Sequence, residues 1–445
     1  MFDLAIKSNR VVTPGGVRPG VVLISGGIIS ELVELSDTNF NCRTIELGNK
    51  VLFPGVIDPH VHINEPGRTD WEGFDSATRA AIAGGITTLV DMPLNASPVT
   101  TTVAAFEAKL LATDNKLHTN CGFWGGIVPG NKEEIEGLVE KGVLGFKAFL
   151  THSGIDEFPN VPESYLRVAM PVIAKYNLPL LVHCELISGD VKPLSGDPRS
   201  YQNYLQSRPA CWEDKAIALM IQLCEEYNCR VHIVHLSSSA SIDQIKKAKE
   251  RGLKLTVETS QHYLYFNDGD IGDGQTQFKC APPIRDKVNN EMLWKALQEG
   301  IIDFVATDHS PAPPQLKQLQ SGDFIKAWGG IASLQFALPV LWKIAKINNA
   351  SLNDLANWLC EKPAQLAGLQ NKKGKIAPGY DADLVVLEEE TTFIVTEQII
   401  HHKHKITPYL GEELSGLVAQ TFLAGEMVFD DGSFTQLNNG KLIIR

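Results

Sequence analysis

Two histidines stand two residues apart in "GVIDPHVHINEPGRTDWEGF", residues 55–74, directly after a short apolar run. On a strand, residues i and i+2 share a face, so His60 and His62 can reach one point. Alone, the pair is equally readable as two half-buried structural histidines. Four more groups able to ligate metal or carry protons end other apolar runs: Lys147 in "GFKAFL", His183 in "LVHCE", His235 in "VHIVHLSS" and Asp308 in "VATDHSP". Each has an ordinary alternative, a satisfied core histidine or a turn-capping aspartate. Six such groups at the corresponding ends of five runs read together as a metal site.

Lys147 is the odd member. A buried ammonium is costly, and beside a cation it is repelled. If CO2 adds to the neutral amine, the product is an anionic carbamate (N6-carboxylysine) with two oxygens, able to bridge two cations as a carboxylate does. His60, His62 and Asp308 then serve one divalent ion and His183 and His235 a second, with Lys147 and a hydroxide between them. Imidazole and oxygen ligation favours zinc, while cobalt, manganese or iron fit the same ligands. Two cations lower the pKa of a bridging water, which makes a nucleophile at neutral pH.

These groups need elements that bring them together. Eight apolar runs of strand length alternate with amphipathic stretches such as "DSATRAAIA", "AAFEAKLLA", "KEEIEGLVEKG" and "WEDKAIALMIQLCEEY". Eight β-α units predict an α/β fold, a (β/α)8 TIM barrel over 51–374, whose strand ends converge on one mouth. A doubly wound open sheet is the runner-up, but the glycine-rich phosphate loop of its nucleotide-binding forms is missing. Residues 1–50 and 375–445 read as short strands with turn signals, and predict a small β-sandwich domain made from both chain ends.

Composition sets outer limits. The 445 residues are 44% hydrophobic and 21% charged, and the formal charge of −12 argues against nucleic acid or anionic membranes as partners. No apolar run is long enough to span a membrane, and "MFDLAIKSNR" lacks the apolar core of a signal peptide. The eight cysteines include no C-x-x-C pair, which fits reduced thiols in a cytoplasmic protein.

With these residues in hand, the chain resembles the cyclic amidohydrolase branch of the amidohydrolase superfamily over nearly its whole length. "GKIAPGYDADLVVL" is similar to the segment with which that superfamily returns to its β domain. "DPHVHINEPGRTDWEGF", "AGGITTLVDMPLN", "GFKAFLTHSGIDEFP" and "ATDHSP" together resemble the allantoinase family. The resemblance implies a small neutral cyclic ureide as substrate, ring-amide hydrolysis of allantoin to allantoate, and a homo-oligomer, a tetramer in similar proteins. Dihydroorotases typically carry an arginine where Asn64 stands, a positive fork for an anionic substrate, although Arg68 is nearby. Hydantoinases and dihydropyrimidinases typically carry a tyrosine where His152 stands. A scaffold on the same fold is a different class of function, but such members typically lack the metal ligands that this chain keeps.

In the implied reaction Asp308 takes the proton of the attacking hydroxide and passes it to the leaving ring nitrogen. His152 is a candidate donor to the oxyanion, or a histidine packing within its own loop. Asn95 is a candidate partner of the ureido group, or a turn residue. Cys280 and Ala281 stand where relatives place main-chain contacts, and Gly329 and Gly330 let backbone approach a ring closely. His262 is placed on the seventh strand with no ligand role. His232 is read as structural, and "HHKH" at 401–404 as a solvated charged loop.

Overall fold

A computed structural model describes residues 1–37, 40–187 and 196–445 of the chain. The barrel strands are β1 (Val56–Val61), β2 (Ile86–Asp91), β3 (Asn120–Phe123, resumed at Gly125–Gly126), β4 (Phe146–Phe149), β5 (Pro179–His183), β6 (Arg230–Ile233), β7 (Leu255–Ser260) and β8 (Phe304–Ala306). All neighbours are parallel. The ring closes where the segment after β8 returns to β1: Val61 bridges His309, and the His62 N–H donates to the His309 carbonyl at 2.8 Å. These strands are buried on both faces, so they read as apolar runs rather than alternating ones.

The helices follow the amphipathic stretches. Val103–Ala112 starts under a Thr102 side chain that accepts from the Ala105 N–H, as an N-cap requires. Ala210–Tyr227 stops at Asn228, whose φ of 48° is the left-handed end a helix uses to terminate.

Strands from both chain ends share one nine-stranded sheet, in which Leu4–Thr13 pairs Val51–Pro54 and Val51–Pro54 pairs Leu384–Ile394. The first apolar run of the barrel reading is therefore two strands in two sheets. Gly55 makes the step: a Cβ there would sit 2.2 Å from the Thr87 hydroxyl oxygen, so only glycine lets the chain cross so close to β2. "KLIIR" also departs from expectation. The Cys121 N–H donates to the Lys441 carbonyl and the Ile443 N–H to the Cys121 carbonyl, so the C-terminal segment covers the side of β3 that β4 leaves unpaired. No described helix is long and apolar enough to cross a membrane.

Candidate metal centre

The six residues singled out in the sequence converge. His60 lies near the end of β1 and His62 just beyond it, Lys147 sits within β4, and His183 ends β5. His235 and Asp308 follow β6 and β8 by two residues. All are buried. The His60 and His62 Nε2 atoms lie 3.2 and 3.5 Å from Asp308 Oδ1. His183 Nδ1 and His235 Nε2 are 2.9 Å apart. Ligand atoms of His60, His235 and Asp308 fall within 4.8 Å of one another, so these three could hold an ion as they stand.

Two of the six have left-handed backbone, His235 at φ 39° and Asp308 at φ 46°. Such conformations are unfavourable for side chains of this kind, and they recur where a functional group must be aimed.

The outer groups fix which nitrogens face inward. Glu258, in β7, accepts from His60 Nδ1 and, at 3.0 Å, from His232 Nε2. Glu185 accepts from His183 Nε2 at 2.7 Å and is held in turn by Arg208. With those protons placed outside, His60 Nε2 and His183 Nδ1 present lone pairs to the centre. Burial alone would raise the Glu258 carboxyl, but the His60 and His232 rings hold it at about 2. Glu258→Gln is expected to weaken divalent-ion affinity about 10–100-fold, because one amide cannot accept from both rings. Competition with a chelator measures it, and an unchanged affinity would remove Glu258 from the site.

The donors suit cations and not protons. Burial pushes His62 down to about 4 and His235 well below its usual value, so both rings are neutral. For Asp308, burial works upward, but the neighbouring histidines hold the carboxyl well below the usual range. Among the described residues, Lys147 Nζ and His235 Nδ1 have no hydrogen-bond partner despite complete burial. Burial brings the Lys147 ammonium down to about 8, with Glu258 and Asp308 pulling the other way. Unpartnered buried polar atoms are costly and signal a missing group.

Five of the six, all but Lys147, edge a cavity of about 340 Å³. Asn95, His152, Ala281 and Gly329 line it, while Cys280 and Gly330 lie behind. Asn95 has φ 66° and a buried side-chain oxygen without a partner. The His152 ring accepts from the Gly154 N–H at 3.1 Å and its Nε2 is 3.3 Å from Asp156, so donation into the cavity would require leaving Asp156. A Cβ on Gly330 would meet the Ser310 carbonyl at 2.4 Å, which explains that glycine by close packing.

The 280–284 backbone is held almost throughout. Tyr204, Tyr263, Ser237 and Tyr201 hydroxyls donate to the carbonyls of Cys280, Pro282, Pro283 and Ile284 at 2.6–2.7 Å. Among the described residues the Ala281 and Gly329 peptide groups have no partner, and both residues face the cavity.

Three sequence readings change. His262 is in the short helix Gln261–Tyr265, beyond β7, and is fully buried. His402 is buried against His309, ring centroids 5.7 Å apart, because the buried Glu72 carboxylate accepts from the next N–H, that of Lys403, so "HHKH" is not solvated throughout. Arg68 is engaged: it donates to the carbonyls of Asn95 and Ala96 at 3.2 Å and to Glu157 at 2.7 Å. Glu258 and Glu185 escaped the sequence reading, although a glutamate inside the apolar run "KLTVETS" and another two residues after His183 were visible signals.

The profile of the amidohydrolase family matches residues 51–428. The chain is 47% identical to the allantoinase of Arabidopsis thaliana, over 96% of this chain and 88% of that one. It is 45% identical to the allantoinase of Streptomyces avermitilis, over 100% and 99%. Among solved structures, the L-hydantoinase (dihydropyrimidinase) from Arthrobacter aurescens superposes with a TM-score of 0.93 at 30% identity, covering 100% of both chains.

Proposed function

The chain belongs to the amidohydrolase family, and from that premise we propose that it hydrolyses the hydantoin ring amide of allantoin to give allantoate. The observation that carries the reading is the convergence of four histidines, Lys147 and Asp308 at one end of the barrel, beneath a cavity walled by unpartnered peptide groups.

His60, His62 and Asp308 would hold one divalent ion and His183 and His235 a second, and a carboxylated Lys147 would supply a further anionic ligand. Zinc is the ion the ligands favour. When bound, the ions supply an activated water and draw charge from the ring carbonyl. A Lys147 amine partly neutral near pH 8 supports carbamate formation, since CO2 adds to the free amine. Asp308, ionised and beside both imidazoles of β1, takes the proton of the attacking water and delivers it to the leaving ring nitrogen.

Allantoin is neutral, so its recognition calls for donors and acceptors rather than a charged fork. Ala281 and Gly329 offer main-chain donors and acceptors, and Asn95 a side-chain amide, to the ring and ureido group. His152 is assigned to the oxyanion, with a swing away from Asp156. Arg68 and Arg208 line no free fork for a carboxylate, because Asn95, Ala96 and Glu157 hold the first and Glu185 the second. That speaks against dihydroorotate.

On this reading the catalytic barrel lies within 51–374, entered at β1 after Val51–Pro54 have paired into the terminal sheet, and 1–50 with 375–445 form the small β domain. The resemblance to oligomeric relatives extends the proposal to a homotetramer, and the cysteine pattern to the cytoplasm. The test is a panel at neutral pH of allantoin, dihydroorotate, hydantoin and dihydrouracil. Allantoin is expected to have the highest kcat/KM, by about 10²-fold. A higher value for dihydroorotate or hydantoin would overturn the assignment.

A further inference from the structure

The cavity wall made by Ala281 and Gly329 comes from two separate loops, residues 279–284 and 325–330, and neither is part of a strand or helix. Main-chain recognition needs their peptide groups held in register, so the question is what ties one loop to the other.

Lys317 lies behind this wall, 3% exposed. Its Nζ donates to the Gly330 carbonyl at 2.7 Å, to that of Trp328 at 3.1 Å and to that of Lys279 at 3.2 Å. In its ammonium form Lys317 has three N–H donors and no acceptor, so three carbonyls satisfy it completely; burial, with Lys279 nearby, brings that ammonium down to about 7, and the pin is fully charged below that pH. Two of those carbonyls flank Gly329 on either side. The third belongs to Lys279, whose carbonyl also accepts from the Gly330 N–H at 2.9 Å. Lys279 repeats the device from the opposite loop, with its Nζ on the carbonyls of Ala327 at 2.5 Å and Ile325 at 3.3 Å. Among the described residues neither ammonium pairs directly with a carboxylate.

Charged hydrogen bonds to backbone are stronger than neutral ones, and a buried cation cannot easily let go of its acceptors. Lys317 is itself anchored: its N–H donates to the Pro313 carbonyl at 3.2 Å, its carbonyl accepts from Thr276, and the neighbouring Leu316 carbonyl accepts from the Trp328 N–H at 2.7 Å. The arrangement leaves Gly329 free for a ligand while both its neighbours are fixed.

We propose that Lys317 is a positioning residue for substrate binding: its ammonium pins the 325–330 loop to the 279–284 loop and so sets the main-chain groups of Ala281 and Gly329 at the spacing a cyclic amide requires. It touches neither the metal ligands nor the cavity. Its loss therefore acts on binding, and leaves the ion site and the proton transfer by Asp308 in place.

The test has two arms. The kinetic arm rests on the allantoin reading above. Lys317→Met keeps the side-chain length and removes all three donors. KM for allantoin is expected to rise about 10–100-fold, while kcat falls less than about threefold and bound metal per chain stays at the wild-type level. The second arm needs no substrate: hydrogen–deuterium exchange is expected to quicken at the Trp328 and Gly330 amides, with the barrel strands unchanged. If Lys317→Met does not yield folded protein, Lys317→Gln, which keeps two N–H donors, is expected to show the same split to a smaller degree. Unchanged KM together with unchanged exchange overturns the proposal, as does a fall in kcat and metal content at constant KM. Wild-type protein inactive on allantoin would defeat the functional reading instead, and the exchange arm would then decide the pin alone.

Discussion

Lys147→Ala is expected to lose most of its bound divalent metal and at least about 10³-fold in kcat/KM, a loss of about 4 kcal/mol of transition-state stabilisation. Lys147 Nζ is shut away inside the barrel with no hydrogen-bond partner among the described residues, 5.1 Å from the centroid of the Phe149 ring. The Phe149 ring face does not replace the hydrogen bonds a buried amine has given up, so the bare group costs desolvation. In the proposed site, carboxylation would make it an anion between the His60–His62 and His183–His235 pairs. Its removal would then take away a metal ligand that no neighbour replaces. Two further results separate this account from simple damage to the core. Acetate or propionate is expected to restore part of the activity, by supplying two oxygens to the space vacated. The Tm of the metal-free variant is expected to stay at or above that of the metal-free parent, because an unpaired buried amine has been removed. Full metal content and full activity in Lys147→Ala would take the bridge out of the site.

Asp308→Asn is expected to lower kcat about 10²–10⁴-fold with the fold intact. The amide is isosteric, so the packing of the segment after β8 is preserved, and the His62 N–H still finds the His309 carbonyl. Under the proposed roles, what disappears is the acceptor of the proton and one ligand beside His60 and His62. Both losses weigh on the chemical step, whereas recognition of the ring by Ala281 and Gly329 is untouched. KM is therefore expected to move far less than kcat, the reverse of the split at Lys317. Single-turnover kinetics read the chemical step directly, and an unchanged rate there would assign the proton to another group.

Much of this architecture was legible because chemistry breaks the pattern of a buried parallel strand. His60, His183 and Lys147 stand out in runs that are otherwise apolar, and the β-α alternation says that their ends meet. The residues that orient them were harder to see. Glu258 looked like one polar residue in a strand, and its meaning depends on β7 pairing β6 and on the His60 ring of β1 reaching it inside the barrel. The same holds for Arg208, which acquires its role through Glu185. The split of the first run at Gly55 follows from a contact with Thr87, some thirty residues on, that no local pattern encodes. Lys317 and Lys279 sit in irregular loops where periodicity carries no signal, and only the carbonyls they bind reveal them. His402 was misread because a cluster of histidines and lysine suggests solvent, whereas the carboxylate of Glu72, far away in the chain, draws the segment inward.

The proposed site gathers two cations with six side chains from five strands. Anomalous diffraction at the zinc edge, from crystals of protein produced in zinc-supplemented medium, addresses this directly. Two peaks in the barrel mouth are expected, one against His60, His62 and Asp308 and one against His183 and His235, with added density on Lys147 reaching both. Metal-replete protein with no peak there, or with the six groups turned away from one another, would contradict it.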